Sequence, residues 1–511
     1  MPTIPIIDLF AGPGGLGEGF SSLKRNGDSV FKIKLSIEKD YYAHQTLKMR
    51  AFFRQFSAGE APDAYYERLA GKCSTEELYL KYPDEAERAT AEAWHATLGG
   101  KDTPDELVDE RISKALGNRV NWLLIGGPPC QAYSLVGRAR RKNDAGFEGD
   151  EKHFLYQQYL RIIGEHRPPV FVMENVKGLL SAKIGGKSTF DRIISDLRDP
   201  LNALGGKFKA HGKPLSYKLV SLVVSQSKDG DNCSPGDFLI EAEHYGIPQA
   251  RHRLIILGLR NDLNKVPRLL RRGDMVSTKD VISDLPVLRS GLSQETDSFE
   301  TWKAALLEIE HAPWLFEQPI DDDLRNEITK QLQRIGRKLD RGSEFIQMKS
   351  HTTPAKLAKW FVDSRLQGVC NHSTRSHIRE DLHRYFFVSA FAKVHKRSAL
   401  LKDFPLSLLP LHKNVVEGVE DDKFNDRFRV QVASRPSTTV TSHISKDGHY
   451  FIHYDTSQCR SLTVREAARL QTFPDNYFFK GPRTQQYHQV GNAVPPLLAK
   501  KIASIVAELF E

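Results

Sequence analysis

The stretch from Gly126 to Gln131, with the sequence GGPPCQ, constrains this chain more than any other. It follows a short apolar run, residues 122–125, which is typical of a buried strand. Two glycines and two prolines oppose both continuation of that strand and an early helix, so the backbone must turn sharply. The turn holds Cys130 at a strand's carboxyl end, where ligands bind in open α/β sheets. Cys130 is either a nucleophile or a small buried side chain, and this hexapeptide leaves both interpretations open.

A second strand-and-turn unit lies at the start of the chain. An apolar run over residues 4–9 leads into the glycine-rich sequence DLFAGPGGLGEGF, residues 8–20, whose second half predicts a helix. Glycines let a backbone approach a ligand closely at a helix N-terminus, although an ordinary flexible turn has the same composition. The next predicted strand, residues 31–37, ends at Glu38. An acidic residue about 20 residues beyond a glycine turn is placed to bind ribose hydroxyls, which favours a cofactor site.

Charged residues also end or begin two further predicted strands. Residues 170–173 lead to Glu174, which is either a salt-bridged structural residue or a general acid in a pocket. Arg251 and Arg253 alternate before another apolar run, so an extended backbone directs both to the same side. Two guanidinium groups there suit a phosphate or a pocket carboxylate, although one could equally lie at the surface.

Charge favours a polyanionic partner. The formal net charge is +9 over 511 residues, and the basic run at residues 138–142 directly follows the candidate nucleophile. We interpret that run as a loop that closes over a phosphate backbone, although most such runs are only solvated.

The cysteine and histidine pattern points away from disulfides and metals. Five scattered cysteines without a CxxC pair indicate a reducing compartment and no zinc module. Cys370, His372, His377 and His383 match no common zinc spacing, so we expect no metal site. No apolar run is long enough to cross a bilayer and the N-terminus lacks a signal core, so we expect a cytoplasmic protein without membrane contact.

Changes in composition suggest three units. Residues 1–260 show α/β alternation, interrupted by a charged, helix-forming segment at about 51–118 that we interpret as a surface insertion. The alternation lapses over residues 261–430, which we interpret as a separate recognition domain. Residues 431–511 return to the first unit and end in an amphipathic helix.

Seven of these segments occur in the order of a known family. They are DLFAGPGG at 8–15, Glu38, GGPPCQAYS at 126–134, ENV at 174–176, QARHR at 249–253, RPSTTV at 435–440 and GNAVPP at 491–496. On these motifs the chain resembles the DNA (cytosine-5)-methyltransferases of restriction–modification and related systems. The resemblance implies an α/β fold, with a Rossmann-like S-adenosylmethionine-dependent methyltransferase domain and a smaller target-recognition domain. It says little about residues 51–118 and 261–430.

The same resemblance implies catalytic roles. Cys130 corresponds to the thiolate that adds to C6 of cytosine and makes C5 nucleophilic. Glu174 corresponds to the group that hydrogen-bonds N3 and the exocyclic amine. Arg251 and Arg253 correspond to the motif arginines, one of which would orient the base and help to activate the cysteine. The target base must be flipped out of the duplex to reach such a site.

The resemblance also implies a site for S-adenosylmethionine. Phe10, Gly12 and Gly14 match the glycine-rich loop, and Glu38 matches the ribose ligand. The residues that return from the C-terminal region to the cofactor are Asn492 and Val494. The family's acidic residue for the adenine amine cannot be assigned, because the 51–118 segment obscures it.

Three functions remain to be compared. The main expectation is methylation of double-stranded DNA in a prokaryotic, nucleoid-associated setting, alongside a cognate restriction endonuclease or defence-system proteins. Methylation of tRNA cytosine is the alternative, and the long 261–430 segment favours duplex DNA over it. A DNA-binding regulator without catalysis is opposed by the intact Cys130, Glu174 and 249–253 motifs. The sequence gives neither the DNA recognition site nor the oligomeric state.

Overall fold

A computed structural model describes residues 3–57, 59–129, 151–184, 186–205, 214–225, 234–348, 356–410 and 425–511. Cys130 and the basic run at 138–142 therefore lie outside the described residues. Within the described ranges, no helix combines the length and hydropathy needed to span a membrane.

The strands are β1 Ile4–Leu9, β2 Lys24–Arg25, β3 Asp28–Ser29, β4 Phe31–Glu38, β5 Ala93–His95, β6 Leu123–Gly126, β7 Val170–Val176, β8 Lys183–Ile184, β9 Lys187–Ser188, β10 Tyr217–Val220, β11 Leu239–Glu241, β12 Gln249–Ala250, β13 His252–Arg260, β14 Gly291–Leu292, β15 Gly342–Gln347, β16 Gly368–Ser373, β17 Ser376–His377 and β18 Ser437–Thr438.

The helices are α1 Gly15–Ser21, α2 Tyr41–Phe53, α3 Asp63–Leu69, α4 Thr75–Lys81, α5 Pro83–Glu92, α6 Asp105–Leu116, α7 Glu151–His166, α8 Thr189–Arg198, α9 Pro200–Ala203, α10 Thr278–Ile282, α11 Phe299–Leu307, α12 Asp322–Leu332, α13 Ala358–Phe361, α14 Arg379–His395, α15 Val464–Leu470, α16 Arg483–Asn492 and α17 Pro496–Glu508. Short 3-10 turns occupy Lys177–Ser181, Pro235–Phe238, Ala242–Tyr245, Glu308–His311, Pro313–Phe316, Leu401–Asp403, Leu406–Leu408 and Ser442–Ser445.

One large mixed sheet organises the first lobe, by which we mean the described residues up to 260 together with α17. The other described residues form the second lobe. The strand order of the sheet is β5–β4–β1–β6–β7–β13–β10, and β11 also pairs with β13. The strands from β5 to β7 are parallel, whereas β13 runs antiparallel to its neighbours. The carboxyl ends of β1, β4, β6 and β7 therefore meet the amino end of β13 at one edge, where open α/β sheets bind ligands. This architecture confirms the predicted α/β, Rossmann-like fold class.

Helices cover both faces of the sheet. On one face, α6, α7 and α8 contribute buried side chains such as Val108, Tyr159 and Phe190. On the other face, α17 packs against α1, so closely that a Cβ on Gly19 would clash with Ala499. The C-terminal helix thus completes the core that the first strand begins, which requires contacts across almost the whole chain.

The segment at 51–118 is more than a surface insertion. It contains β5, which pairs with β4, and α6, which buries Val108 and Ile112 in the sheet core. Its helix α3 also contacts the second lobe, where the Tyr66 hydroxyl donates to Asp363 at 2.8 Å. The sequence did not predict β5 because a three-residue strand after a charged helix leaves no periodic pattern.

The second lobe has its own hydrophobic cores. One joins α11, α12 and α14 with Val430 and Ile452, and another joins α10 with α15 and α16. Residues on both sides of position 430 share these cores, so the expected boundary at 430 does not divide the packing. After these cores the chain returns to the sheet, where α17 packs into the sheet core.

Candidate active site

A cavity of about 370 Å³ lies at the carboxyl edge of the sheet. Six residues predicted from sequence line it: Phe10, Gly12, Glu38, Glu174, Arg253 and Asn492. Pro129 also lines it, and the next residue is Cys130, whose own position lies outside the described residues. Three predicted residues, Gly14, Arg251 and Val494, are not among the described lining residues.

The turn after β1 shapes one end of the cavity. Phe10 and Gly12 both have positive φ values, 56° and 57°, so the backbone turns immediately after the strand. The Gly12 N–H donates to Glu38 Oε2 at 2.7 Å. Gly14 lies at the start of α1 and packs towards Leu47 and Tyr477 instead of lining the cavity.

Glu38 ends β4 with its carboxylate held by backbone. Besides the bond from Gly12, its Oε1 accepts the Asp40 N–H at 2.6 Å. Burial raises the pKa of Glu38 above its ordinary value, and the two N–H groups oppose that rise. Each carboxylate oxygen retains a lone pair after one such bond, so Glu38 can still accept hydrogen bonds from a ligand.

The turn after β6 lies against Glu174. A Cβ on Gly127 would come within 2.7 Å of Glu174 Oε2, so a larger residue here would force the Glu174 side chain to shift. The Asn175 side-chain amide donates to the Pro128 carbonyl at 3.3 Å and fixes the same turn from the β7 side. The residues leading to Cys130 are therefore positioned by the strand that carries Glu174.

Arg253 forms an ion pair with Glu174 across β13 and β7. Arg253 Nε lies 2.7 Å from Glu174 Oε1, and both side chains remain slightly exposed to the cavity. Burial lowers the pKa of Arg253, and the Glu174 carboxylate opposes that shift. The pair gives this end of the cavity a carboxyl group whose orientation is fixed by a guanidinium.

Arg251 takes a different position from Arg253. It lies between β12 and β13, is fully buried, and donates to the carbonyls of Val440 at 2.6 Å and Gly491 at 3.0 Å. The two alternating arginines therefore have different partners, and the break between β12 and β13 lies between them.

The C-terminal region reaches the cavity through α16. Asn492 and His488 lie one helical turn apart and both line the cavity. Val494 instead packs its backbone against Gly15 at the start of α1. The sequence did not predict His488 as a lining residue, because no helix was predicted before the GNAVPP motif.

The residues between Glu38 and the turn at 126–131 include one described lining carboxylate, Asp40. Asp40 Oδ1 accepts the Ala43 N–H at 2.8 Å and caps α2. Lys39 and Thr97 line the same part of the cavity. Asp40 is therefore the one described lining carboxylate in the interval where the acid for the adenine amine could not be assigned from sequence.

Comparisons with known proteins agree with this arrangement. The family model for C-5 cytosine-specific DNA methylases matches residues 101–201 and 238–508, more than half of the chain. The type II methyltransferase M.Bpa9945I of Bacillus paralicheniformis is 32% identical over 524 residues, covering 99% of this chain and 98% of that protein.

Two more distant relatives also span nearly the whole chain. M.DdeI of Desulfomicrobium norvegicum is 25% identical and covers 99% of this chain and 89% of its own. M.AgeI of Thalassovita gelatinovora is 25% identical and covers 98% of each chain. This chain therefore belongs to the family of C-5 cytosine-specific DNA methylases, enzymes of the DNA (cytosine-5-)-methyltransferase class.

Proposed function

We propose that this chain transfers a methyl group from S-adenosylmethionine to C5 of a flipped cytosine in duplex DNA, through a transient bond between Cys130 and C6. The supporting observation is the shared cavity at the carboxyl edge of the sheet. Glu38 lines it together with Glu174, Arg253 and the turn that leads to Cys130. A cofactor carboxylate and a base-binding pair thus share one space.

The lining residues fit the methyl donor. Glu38 would accept the ribose hydroxyls, since its bonds to backbone leave lone pairs free. Among the described residues, and apart from its two chain neighbours, Gly12 has no atom within 4 Å of where a Cβ would lie, so its backbone is open to a ligand. Asn492 supplies an amide from α16. When bound, the donor supplies an electrophilic methyl group on a sulfonium sulfur.

Cys130 would carry the covalent step. Its thiolate adds to C6 of cytosine, and the C5–C6 π electrons form the new bond from C5 to the methyl carbon as the carbon–sulfonium bond breaks. A base then removes the C5 proton, the C5–C6 double bond re-forms, and the bond between C6 and sulfur breaks. The thiolate is regenerated, so atoms and electrons balance.

Glu174 and Arg253 would hold the base during this sequence. A carboxyl group beside N3 and the exocyclic amine stabilises the charge that develops on the ring when sulfur adds. The ion pair at 2.7 Å fixes the direction of that carboxyl group before the base arrives. Because C5 and C6 are inaccessible inside a duplex, the base must leave the stack to reach them.

Duplex DNA is the substrate that the comparisons favour over tRNA. The curated relatives that span this chain are named type II methyltransferases. We propose that this protein likewise acts with a cognate restriction endonuclease in a prokaryotic cell. Bisulfite sequencing of DNA from expressing cells should find one short sequence modified at nearly every copy, and modification without a shared sequence would contradict this role.

The central experiment uses S-adenosylmethionine labelled in its methyl group. We expect label in cytosine C5 of duplex DNA and none in tRNA. A duplex with 5-fluorocytosine at the target should trap a protein–DNA complex that survives a denaturing gel, since fluorine at C5 blocks the elimination that releases sulfur.

Two cysteine variants complete the experiment. Cys130→Ser should abolish both label and trapped complex. Cys73→Ser is the matched control, because Cys73 is a partly buried free cysteine on another part of the chain, and it should leave both intact. Label in tRNA alone, label in neither substrate, or a trapped complex with Cys130→Ser would overturn the assignment.

A further inference from the structure

Arg251 is a fully buried cation, and its hydrogen-bond partners among the described residues are all neutral. Its Nη1 donates to the Val440 carbonyl at 2.6 Å, and its Nη2 donates to the Gly491 carbonyl at 3.0 Å. The Gln249 amide oxygen lies at the limit of hydrogen bonding, 3.5 Å from Nη1. No carboxylate is among its hydrogen-bond partners in the described part of the chain.

Such a side chain needs its hydrogen bonds. Burial lowers the pKa of Arg251 well below its ordinary value, and the neighbouring Arg253 charge adds to that effect. A charge removed from water is costly unless polar groups replace the lost hydration. The two carbonyls provide that replacement, so the buried guanidinium holds both carbonyl groups in place.

The two carbonyls belong to segments far away in sequence, 189 and 240 residues from Arg251. Gly491 directly precedes Asn492, which lines the cavity. A Cβ on Gly491 would clash with the backbone of Thr441 and Ser442. The backbones at 491 and 441–442 are therefore in direct contact. Fixing the Gly491 carbonyl therefore fixes the end of α16 at the cavity.

Two glutamine side chains complete this attachment. The Gln249 amide accepts from the Val440 N–H at 2.9 Å and donates to Gln471 at 3.1 Å. The Gln471 amide donates to the carbonyls of Val490 at 2.7 Å and Ala493 at 3.1 Å. Neither Gln249 nor Gln471 is among the lining residues of the cavity. We call Gln249, Arg251 and Gln471 the carbonyl clamp.

We infer that Arg251 is a positioning residue for the methyl donor, acting through the carbonyl clamp, and not a group that contacts the target base. It holds the Gly491 carbonyl and thereby places Asn492 and His488 at the cofactor cavity. Arg253, two residues further on, remains the arginine that contacts Glu174. The assignment of different roles to Arg251 and Arg253 rests on the proposed function of the cavity.

The inference predicts a separation of kinetic constants. Arg251→Lys keeps the charge but can satisfy only one of the two carbonyls well. We expect it to raise the KM for S-adenosylmethionine about tenfold, the effect of losing roughly one hydrogen bond to a charged group, with kcat within about threefold of wild type. Arg253→Lys should instead lower kcat about a hundredfold with a smaller change in that KM.

A matched control separates positioning from lost stability. Arg384 is another mostly buried arginine, which donates to the Leu408 carbonyl at 2.9 Å and to Asp381 at 2.8 Å, and none of these three residues lines the cavity. Arg384→Lys should lower the midpoint of thermal unfolding without changing either kinetic constant of the folded enzyme. The donor affinity of each variant is also measured directly by calorimetry without DNA.

Gln471→Met is the second variant, for use if Arg251→Lys does not fold. It removes the amide that holds the Val490 and Ala493 carbonyls without leaving a buried charge, and it should show the same rise in KM. If wild type binds no S-adenosylmethionine, the proposed function fails. If wild type binds it and both clamp variants bind equally well, or lose kcat alone, the clamp inference fails.

Discussion

The cavity at the carboxyl edge of the sheet and the interior of the second lobe use the same charged residue types in opposite ways. In the cavity, Glu174 and Arg253 are paired at 2.7 Å, yet their side chains stay 15% and 12% exposed. In the second lobe, Glu466 and Arg460 are paired at 2.6 Å with both side chains 1% exposed. The Glu174–Arg253 pair keeps polar surface that a ligand can contact, whereas the Glu466–Arg460 pair is almost completely buried.

The hydrogen bonds around the second pair explain that difference. Arg460 donates through both Nη atoms to the two Glu466 oxygens, and Glu466 Oε2 also accepts the Thr463 N–H at 2.7 Å. Burial alone would raise the pKa of Glu466, but Arg460 more than offsets this and holds it well below the usual range. A titratable residue thus identifies a functional site only when some of its hydrogen-bonding capacity is unused.

The largest loss of stability should come from breaking the buried pair of Glu466 and Arg460. Glu466→Gln leaves the Arg460 charge buried without its carboxylate, which typically costs about 3–5 kcal/mol of stability. Urea unfolding should show this loss, while the kcat of the folded fraction stays within about twofold of wild type. A large drop in kcat without loss of stability would show that Glu466 and Arg460 act in catalysis, as proposed for Glu174 and Arg253, and not in stability.

The next effect should come from the cavity pair. Glu174→Gln should lower kcat about a hundredfold, since an amide cannot replace the carboxyl group that holds N3 and the exocyclic amine and stabilises the charge that develops on the ring. Unfolding stability should change by less than about 1 kcal/mol, because the side chain is partly exposed. Single-turnover methylation and urea unfolding on the same preparation test both statements, and unchanged methylation would remove Glu174 from the site.

Asp8 offers a third case, a buried carboxyl group whose oxygens have no hydrogen-bond partner among the described residues. Burial raises the pKa of Asp8 from 3.8 to about 8. The folded state therefore holds a proton that the unfolded state releases, so this group's contribution to stability falls as the pH rises from about 4 to about 8.

Asp8→Asn removes that titration. The variant should be more stable than wild type by several kcal/mol at pH 8, about 1.4 kcal/mol for each unit of the pKa shift, with the difference shrinking towards zero near pH 4. Thermal or urea unfolding across this pH range measures it. A stability difference that does not depend on pH would mean that Asp8 is ionised in the folded protein.

Much of the candidate site could be predicted from sequence because its parts are local. Apolar strand patterns place Glu38 and Glu174 at or near the ends of β4 and β7, and the glycine and prolines at 127–129 directly follow β6. The α/β class followed from the same units. The three-residue strand β5 and the lining residue His488 were missed, since neither belongs to a pattern long enough to recognise.

The sequence by itself determined the strand-and-turn units, their order along the chain and the family to which they point. The tertiary structure decided which of two alternating arginines faces the cavity: Arg253 pairs with Glu174, while Arg251 binds carbonyls up to 240 residues away. It also decided that residues at both ends of the chain, Gly12 and Asn492, line one cavity. Local turns depend on neighbouring residues, but the environment of a side chain depends on which distant segments pack around it, and only the folded core fixes that.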